Sequence, residues 1–329
     1  SKYREALKYL LLMDKYYTNS TFYAGALSSI SSCYDGLGDK PNAIAYLKKY
    51  INNEKNDLSK MRSQMRLASI YQKDGFALLG EISEKAKAAS LSTNATPDEA
   101  TQTAANFAEQ EVKAVAMIIN GIKEFNKFSK EAEAKLNDPS VSKEDKEKFQ
   151  ELHEIALFYA GFCWSRLIEP SKHMPIFAKK NIKPLDNAVA CLEAYVSKYP
   201  NSERFSKGAY RQLAAIHTTN NNIEKTKDAL DRLCKFFPDS DEARIAWPML
   251  AKSLVEFSQS VSDPERKAQL IEESSRLYKE MIDKAHEHGI VCNVFFADDI
   301  DEAKKYLEMG IDTILTNDYN IVSQIVKGK

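Results

Sequence analysis

The stretch "YRQLAAIHTTNNNIEKTKDALDRLCKFFPDS", residues 210–240, decides the fold because its pattern recurs along the chain. It holds two helical runs in which small residues let two antiparallel helices approach, while large residues a turn away fill the space between neighbouring pairs. Pro238 cannot continue the second helix, and Asp239 followed by Ser240 suits the cap of the next one. One such pair cannot bury its own apolar stripe, so the pattern predicts several stacked pairs that share a continuous core.

The pattern returns at a spacing in the high thirties of residues. The matching positions are Tyr210, Leu213, Ala214 and His217 with Thr226, Leu230 and Pro238; Leu27, Ile30, Ser31 and Tyr34 with Ala43 and Leu47; Gln64, Leu67, Ala68 and Tyr71; Trp247, Leu250, Ala251 and Leu254; and Leu157, Ala160, Gly161 and Trp164 with Ala188, Leu192 and Pro200. Together they resemble the tetratricopeptide signature, W-x2-L-G-x2-Y followed by A-x3-F and P. The resemblance covers about residues 1–283 and implies a mainly α protein, an α-solenoid of antiparallel helix pairs. Ala6 and Leu10 fit the second helix of a pair, which predicts that the chain begins inside a repeat.

The middle of the chain departs from this pattern. Residues 98–137 carry apolar residues at helical spacing with no strong breaker, and a single helix of that length would span about 60 Å. Gly121 is the point at which such a helix would bend or divide. We therefore expect an enlarged repeat over about residues 72–150. A polar insertion that contains Pro, at about residues 169–184, separates the two helices of a further repeat.

The composition narrows the possible functions. Lys and Arg total 46 against 47 Asp and Glu, so no net field attracts nucleic acid or an anionic membrane. No run of about eighteen apolar residues occurs, which argues against a transmembrane helix. The five cysteines are scattered, never form a CxxC pair and fall in apolar contexts, so core packing is favoured over disulfide or metal roles.

The end of the chain follows a different pattern. Gly289 is suited to close a helix, "IVCNVFF" (290–296) predicts a strand, "DDIDEAKKYLEMG" predicts a short helix, and "IDTILT" (311–316) predicts a second, parallel strand. The unit is a small βαβ-type segment, and we expect it to pack on helices through Val294, Phe296 and Ile314. The fold expected for the whole chain is thus helical repeats over residues 1–283 followed by a short α/β tail over residues 284–329.

The sequence of the tail resembles the C-terminal segment of glycerophosphodiester phosphodiesterases over residues 280–319, "EMIDKAHEHGIVCNVFFADDIDEAKKYLEMGIDTILTNDY". The resemblance implies the last two strands of a (β/α)8 barrel and the helix between them. The chain has no HRG motif and no earlier strands, where that family carries its acid-base histidines and metal-binding acidic residues. A barrel needs about 200 residues, so an autonomous active barrel is excluded.

No other chemical constellation emerges from the sequence. His286 and His288 stand two residues apart, on different faces of a helix, and closing that helix is favoured over binding a metal. Asp298, Asp299 and Asp301 fall at a predicted helix start, where acidic residues act as caps. We therefore expect no enzyme activity, no catalytic residues, no metal site and no cofactor.

Two functions follow from these resemblances. The favoured one is a non-catalytic scaffold or adaptor that binds a protein or peptide on its concave face, with the tail as a cap or as an element of self-association through its strands. The tetratricopeptide resemblance places the binding positions on the first helix of each pair, namely Asp35, Gln72, Ser165, Arg211, Thr218 and Lys252. The alternative is a regulatory or truncated relative of the phosphodiesterases that binds a phosphodiester or completes another barrel.

The prediction of localisation depends on the turns between consecutive repeats. "YPNSE" and "FPDSDEA" are similar to corners in bacterial periplasmic and outer-membrane-associated tetratricopeptide lipoproteins. This similarity predicts a periplasmic or envelope-associated protein, with a leader or anchor preceding the chain. The five cysteines favour a reducing compartment instead, so the cytoplasm is the alternative.

Overall fold

A computed structural model describes residues 2–91, 97–295, 297, 299–317 and 323. Helices account for most of these residues, as the sequence predicts. They are α1 (Lys2–Tyr16), α2 (Tyr23–Gly36), α3 (Lys40–Asn53), α4 (Asp57–Leu91), α5 (Pro97–Asn137), α6 (Lys143–Arg166), α7 (Ile168–Ser171), α8 (Pro175–Lys179), α9 (Pro184–Lys198), α10 (Ser206–Thr219), α11 (Ile223–Phe236), α12 (Asp241–Ser260), α13 (Pro264–Glu287) and α14 (Ile300–Glu308). Two short strands, β1 (Asn293–Phe295) and β2 (Thr313–Leu315), flank α14 in the sequence.

The long helices pack as antiparallel pairs, which confirms the helical-repeat interpretation. The pairs are α2 with α3, α4 with α5, α6 with α9, α10 with α11, and α12 with α13. In α2 and α3, for example, the Ser31 hydroxyl donates to the Ala43 carbonyl at 2.8 Å, and both residues are buried. At the α10–α11 pair the rings of Tyr210 and Phe236 stack with centroids 6.2 Å apart. Signature positions, both small and large, thus lie at helix contacts, as the pattern predicts.

The chain divides into two compact units, Ser1–Tyr199 and Pro200–Lys329. The first unit contains α1 to α9, and its largest apolar cluster gathers residues of α4, α5, α6 and the α7–α8 segment. The second unit contains α10 to α14 and both strands. The division falls at "KYPNSE", one of the corners where Pro stops a helix.

The predicted enlarged repeat, about residues 72–150, overlaps the α4–α5 pair, which begins at Asp57 and ends at Asn137. Its helices have 35 and 41 residues, and α5 runs through Gly121 without a break. Gly121 is instead a point of close approach, because a Cβ there would stand 3.0 Å from the Ala68 carbonyl oxygen of α4. The predicted long helix over residues 98–137 is therefore confirmed as a single helix.

The insertion after α6 belongs to the core of the first unit. It folds into the two short helices α7 and α8, and its polar composition conceals three buried side chains, Met174, Ile176 and Phe177. These side chains pack into the same cluster as Phe125 of α5. A segment that the sequence presents as polar thus closes one side of the apolar interior.

The tail holds a two-stranded parallel sheet in which Asn293 lies opposite Thr313. Among the described residues each strand has three members, fewer than the sequence predicts. Gly289 closes α13 with a φ of +70°, as predicted. The carboxylate of Asp299 accepts hydrogen bonds from the backbone N–H groups of Asp301 and Glu302, so the predicted capping role of Asp299 is confirmed.

The side chains of the tail form a small cluster of their own. Val294 and Ile314 pack against Ala297 and Ala303, the latter on α14. Phe296 and Asp298, which the sequence analysis assigned to packing and capping, lie outside the described residues.

Within the described ranges, no helix is both long enough and apolar enough to cross a membrane. All five cysteines are free thiols; Cys33 and Cys163 are buried, and the other three are partly buried. Burial raises the pKa of the Cys163 thiol to about 12, which keeps it protonated and inert. This agrees with a packing role for that cysteine.

Candidate partner-binding surface

Asp35, the first predicted binding residue, lies in the last turn of α2. Its carboxylate accepts a hydrogen bond from Lys40 at 2.8 Å and pairs with Arg66 of α4 at 3.3 Å. The hydrogen bond from Lys40 is the main reason that the pKa of Asp35 is lowered, and Arg66 lowers it further. The charge of Asp35 is therefore compensated within the protein, and it ties α2 to α3 and α4.

Gln72 of α4 and Ser165 of α6 flank a pair of aromatic rings. Phe76, one turn after Gln72, meets Phe162, one turn before Ser165, edge to face with centroids 6.5 Å apart. The Ser165 hydroxyl donates to the Phe162 carbonyl at 2.8 Å, and all four side chains are half-buried. The structure thus brings two of the predicted positions to one surface.

An arginine completes this surface. The guanidinium carbon of Arg166 lies 5.8 Å from the centre of the Phe76 ring, and Arg166 is exposed. At this distance the guanidinium lies within cation–π range of the Phe76 ring, and its N–H donors can bind a carboxylate or a carbonyl group. We call Gln72, Phe76, Phe162, Ser165 and Arg166 the α4–α6 surface.

A cleft of about 570 Å³ adjoins the α4–α6 surface. It begins at Leu79, one turn beyond Phe76, and at Glu169, one turn beyond Arg166. The remaining lining residues are Ile82, Ser83, Ala86, Lys87, Glu111, Pro170, His173 and Met174. The surface therefore continues into a groove with an apolar floor and polar edges, which is the shape that a peptide segment can occupy.

The other predicted positions lie in the second unit. The Thr218 hydroxyl of α10 is 3.3 Å from that of Thr226 on α11 and 3.2 Å from that of Ser253 on α12. Thr218 thus joins three helices, and its hydroxyl serves packing. Arg211, two turns earlier on α10, is exposed, and so is Lys252, whose ammonium group lies 3.6 Å from Glu256.

Phe76, Phe162 and Arg166 were missed by the sequence analysis. The signal that would have found them is their spacing, because each lies within one helical turn of a predicted groove position. Metal-ligating side chains form a group of three at one place in the described residues, at His286, Cys292 and Asp312 of the second unit.

Comparisons with known proteins bear on the α6–α9 pair. The family model described as "Tetratricopeptide repeat" matches residues 156–202, a range that includes Phe162, Ser165 and Arg166. No curated protein matches the chain. Among solved structures, the "Assembly Chaperone of RpL4 (Acl4) (Residues 1-338)" is similar at 11% identity, over 79% of this chain and 76% of that chain, with a TM-score of 0.31. A TM-score this low carries no weight for fold or function, so the support for a tetratricopeptide repeat comes from residues 156–202.

Proposed function

We propose that this chain is a non-catalytic scaffold that binds a protein or peptide partner on the first helices of its repeats. One observation carries the proposal: the half-buried Phe76–Phe162 pair, with the exposed Arg166 guanidinium carbon 5.8 Å from the centre of the Phe76 ring. Aromatic and Arg side chains on a rigid helical surface are the residue types that dominate the energy of protein interfaces. Half-buried rings lose little conformational entropy on binding, because packing already fixes them.

The surface also suggests the chemistry of the partner. An apolar side chain would cover the exposed part of the two rings, and a neighbouring carboxylate would accept hydrogen bonds from Arg166. In the second unit Arg211 and Lys252 present two further exposed cations on α10 and α12. A peptide with apolar anchors and acidic neighbours therefore suits both surfaces, each taken by itself.

For the tail we propose a capping role: residues 284–329 act as a βαβ-type element that closes the α12–α13 pair. Gly310 supports this role, because a Cβ on it would stand 3.4 Å from Ile282 of α13. Met309 shares a shallow cleft with Arg276 and Lys279 of the same helix. The resemblance of the tail to phosphodiesterases, self-association through its strands and an envelope localisation stay predictions.

The scaffold proposal is tested with peptides. They are selected from a displayed random library for binding to the whole chain. Arg166→Glu should weaken the selected peptides at least about tenfold, a loss of about 1.4 kcal/mol, and leave the melting temperature unchanged. Lys127→Glu is the matched control, because Lys127 is exposed on α5 and the charge change is the same. Failure to select any peptide, or equal weakening by both variants, would overturn the proposal. In the second unit, Arg211→Glu with Lys252→Glu should likewise weaken a partner without lowering the melting temperature.

A further inference from the structure

Three segments of the second unit bring three different ligand types together. His286 lies in the last turn of α13, Cys292 directly precedes β1, and Asp312 directly precedes β2. An imidazole nitrogen, the thiol sulfur and a carboxylate oxygen of these residues all lie within 4.8 Å of one another. The three residues are exposed or partly exposed, so an ion can reach them from solvent.

Backbone contacts hold the three groups in place. The Cys292 backbone N–H donates to Asp312 Oδ2 at 2.7 Å, and the Asp312 N–H donates back to the Cys292 carbonyl at 3.0 Å. His286 Nε2 lies 2.8 Å from the same Oδ2, and no described residue donates to Oδ1 of Asp312. Gly310 does not crowd the His286 imidazole, because even a Cβ at position 310 would stand 3.8 Å from His286 Cε1. The backbone hydrogen bonds between the segments that precede β1 and β2 thus fix the spacing between Cys292 and Asp312.

The size of the group suits a tetrahedral ion. Bonds of 2.0–2.3 Å to nitrogen, oxygen and sulfur place neighbouring ligand atoms about 3.3–3.8 Å apart. The distances here bracket that range, from 2.8 Å between His286 and Asp312 up to the limit of 4.8 Å. The ligand atoms therefore need to move by about 1 Å to form the site, and the Asp312 carboxylate can turn its Oδ1 toward the ion.

The ligand chemistry selects the ion. A thiolate with an imidazole and a single carboxylate favours zinc and its spectroscopic substitute cobalt over magnesium or calcium, which take oxygen ligands. We propose that His286, Cys292 and Asp312 bind one zinc-type divalent cation. Three protein ligands leave the fourth position for water or for a ligand atom from a partner.

One consequence follows from this site. The ion would link the end of α13 to the segments before both strands, so its binding would stabilise the tail against local unfolding. This consequence does not depend on the partner-binding surface of the first unit, and the site is tested separately from it.

The test uses the full chain, stripped of metal with a chelator and titrated with zinc chloride or cobalt chloride alone. We expect one ion per chain, a higher melting temperature with zinc, and a thiolate-to-cobalt charge-transfer band in the absorption spectrum. Cys292→Ser should abolish that band, and Asp312→Asn should weaken zinc binding at least tenfold while it retains an acceptor for the Cys292 N–H.

Two control variants isolate the site. Cys234→Ser removes another partly buried thiol, and His288→Ala removes the neighbouring imidazole, whose Nδ1 contacts the Lys284 carbonyl at 2.8 Å. Both should retain the band and the affinity. The proposal is overturned if the chain binds no cobalt, if the bound cobalt shows no thiolate band, or if the band persists in Cys292→Ser. Circular dichroism of the variants shows that any loss belongs to the site and not to the fold.

Discussion

A methyl group on Gly75 of α4 would stand 2.6 Å from Cγ1 of Ile118 on α5 and 3.0 Å from the carbonyl oxygen of Ala114. The second contact is to backbone, which cannot move aside as a side-chain end can. Gly75 and Gly121 are thus two positions at which the backbones of α4 and α5, helices of 35 and 41 residues, come close together. The first unit depends on this contact, because the same helices enclose its largest apolar cluster.

Gly75→Ala should therefore destabilise the protein, although alanine favours a helix. Overpacking costs about 1–3 kcal/mol, against a gain of about 1 kcal/mol in helix propensity. Gly80→Ala, on the same helix, is the control, because a Cβ there meets no atom within 4 Å. Urea denaturation should show Gly75→Ala less stable than Gly80→Ala by about 1–3 kcal/mol. Equal stabilisation of both variants would refute the close packing of α4 on α5.

His153 of α6 predicts a dependence of stability on pH. The ring is buried, its Nδ1 lies 2.7 Å from the Tyr199 hydroxyl, and burial lowers its pKa from 6.5 to about 4. Between these two values the unfolded chain binds the proton and the folded chain does not. Above a pH of about 6.5 the ring is neutral in both states and does not lower the free energy of unfolding. As the pH falls from about 6.5 towards about 4, the free energy of unfolding decreases because only the unfolded chain gains the proton.

Wild-type protein should lose about 2–3 kcal/mol more than His153→Asn when the pH falls from about 7.5 to about 4.5. The Asn variant keeps a polar atom near Nδ1 but cannot titrate, so this part of the pH dependence disappears. His173→Asn, at an exposed position, should behave like wild type. Parallel curves of unfolding free energy against pH for wild type and His153→Asn would contradict the prediction.

Deleting every residue after Ala285 should destabilise the second unit. The truncation removes Met309, which shares a cleft with Arg276 and Lys279, and Gly310, which approaches Ile282, a side chain that is buried in the full chain. We expect a lower melting temperature or aggregation, measured by differential scanning fluorimetry and light scattering. A chain that ends at Asn317 keeps both strands and serves as the control. If the chain that ends at Ala285 were as stable and as monomeric as the control, the tail would have no capping role.

Much of the fold follows from local pattern. The repeat positions, the long helix over residues 98–137, the left-handed Gly289 and the capping carboxylate of Asp299 depend on neighbours within a few residues, so sequence spacing predicts them. The three buried side chains of the insertion were less accessible to this reasoning. Pro and Lys residues surround them, and only packing against α5 and α6 shows that the segment is interior.

The two proposed sites were harder to predict because each joins segments that are distant in the sequence. Phe76 and Phe162 meet only when α4 lies against α6, and no periodicity within one helix encodes that contact. Likewise Cys292 and Asp312 are 20 residues apart and meet through the register of β1 and β2. Resemblance to a repeat family assigned Gln72, Ser165 and Thr218 to binding, and these assignments stay predictions. The Thr218 hydroxyl lies within 3.3 Å of the Thr226 and Ser253 hydroxyls on neighbouring helices, a contact that spacing within one helix does not encode.

Site-specific photo-crosslinking tests the central claim most directly. A photoreactive phenylalanine in place of Lys73, exposed one turn before Phe76 on α4, is compared with the same residue in place of Lys127, exposed on α5. A peptide that was selected for binding to the whole chain is added to each variant, and the complex is irradiated. Mass spectrometry then identifies any peptide adduct and the position that carries it. Binding on the α4–α6 surface predicts a peptide adduct from position 73 and none from position 127. An adduct from position 127 alone, or equal adducts from both, would contradict this account.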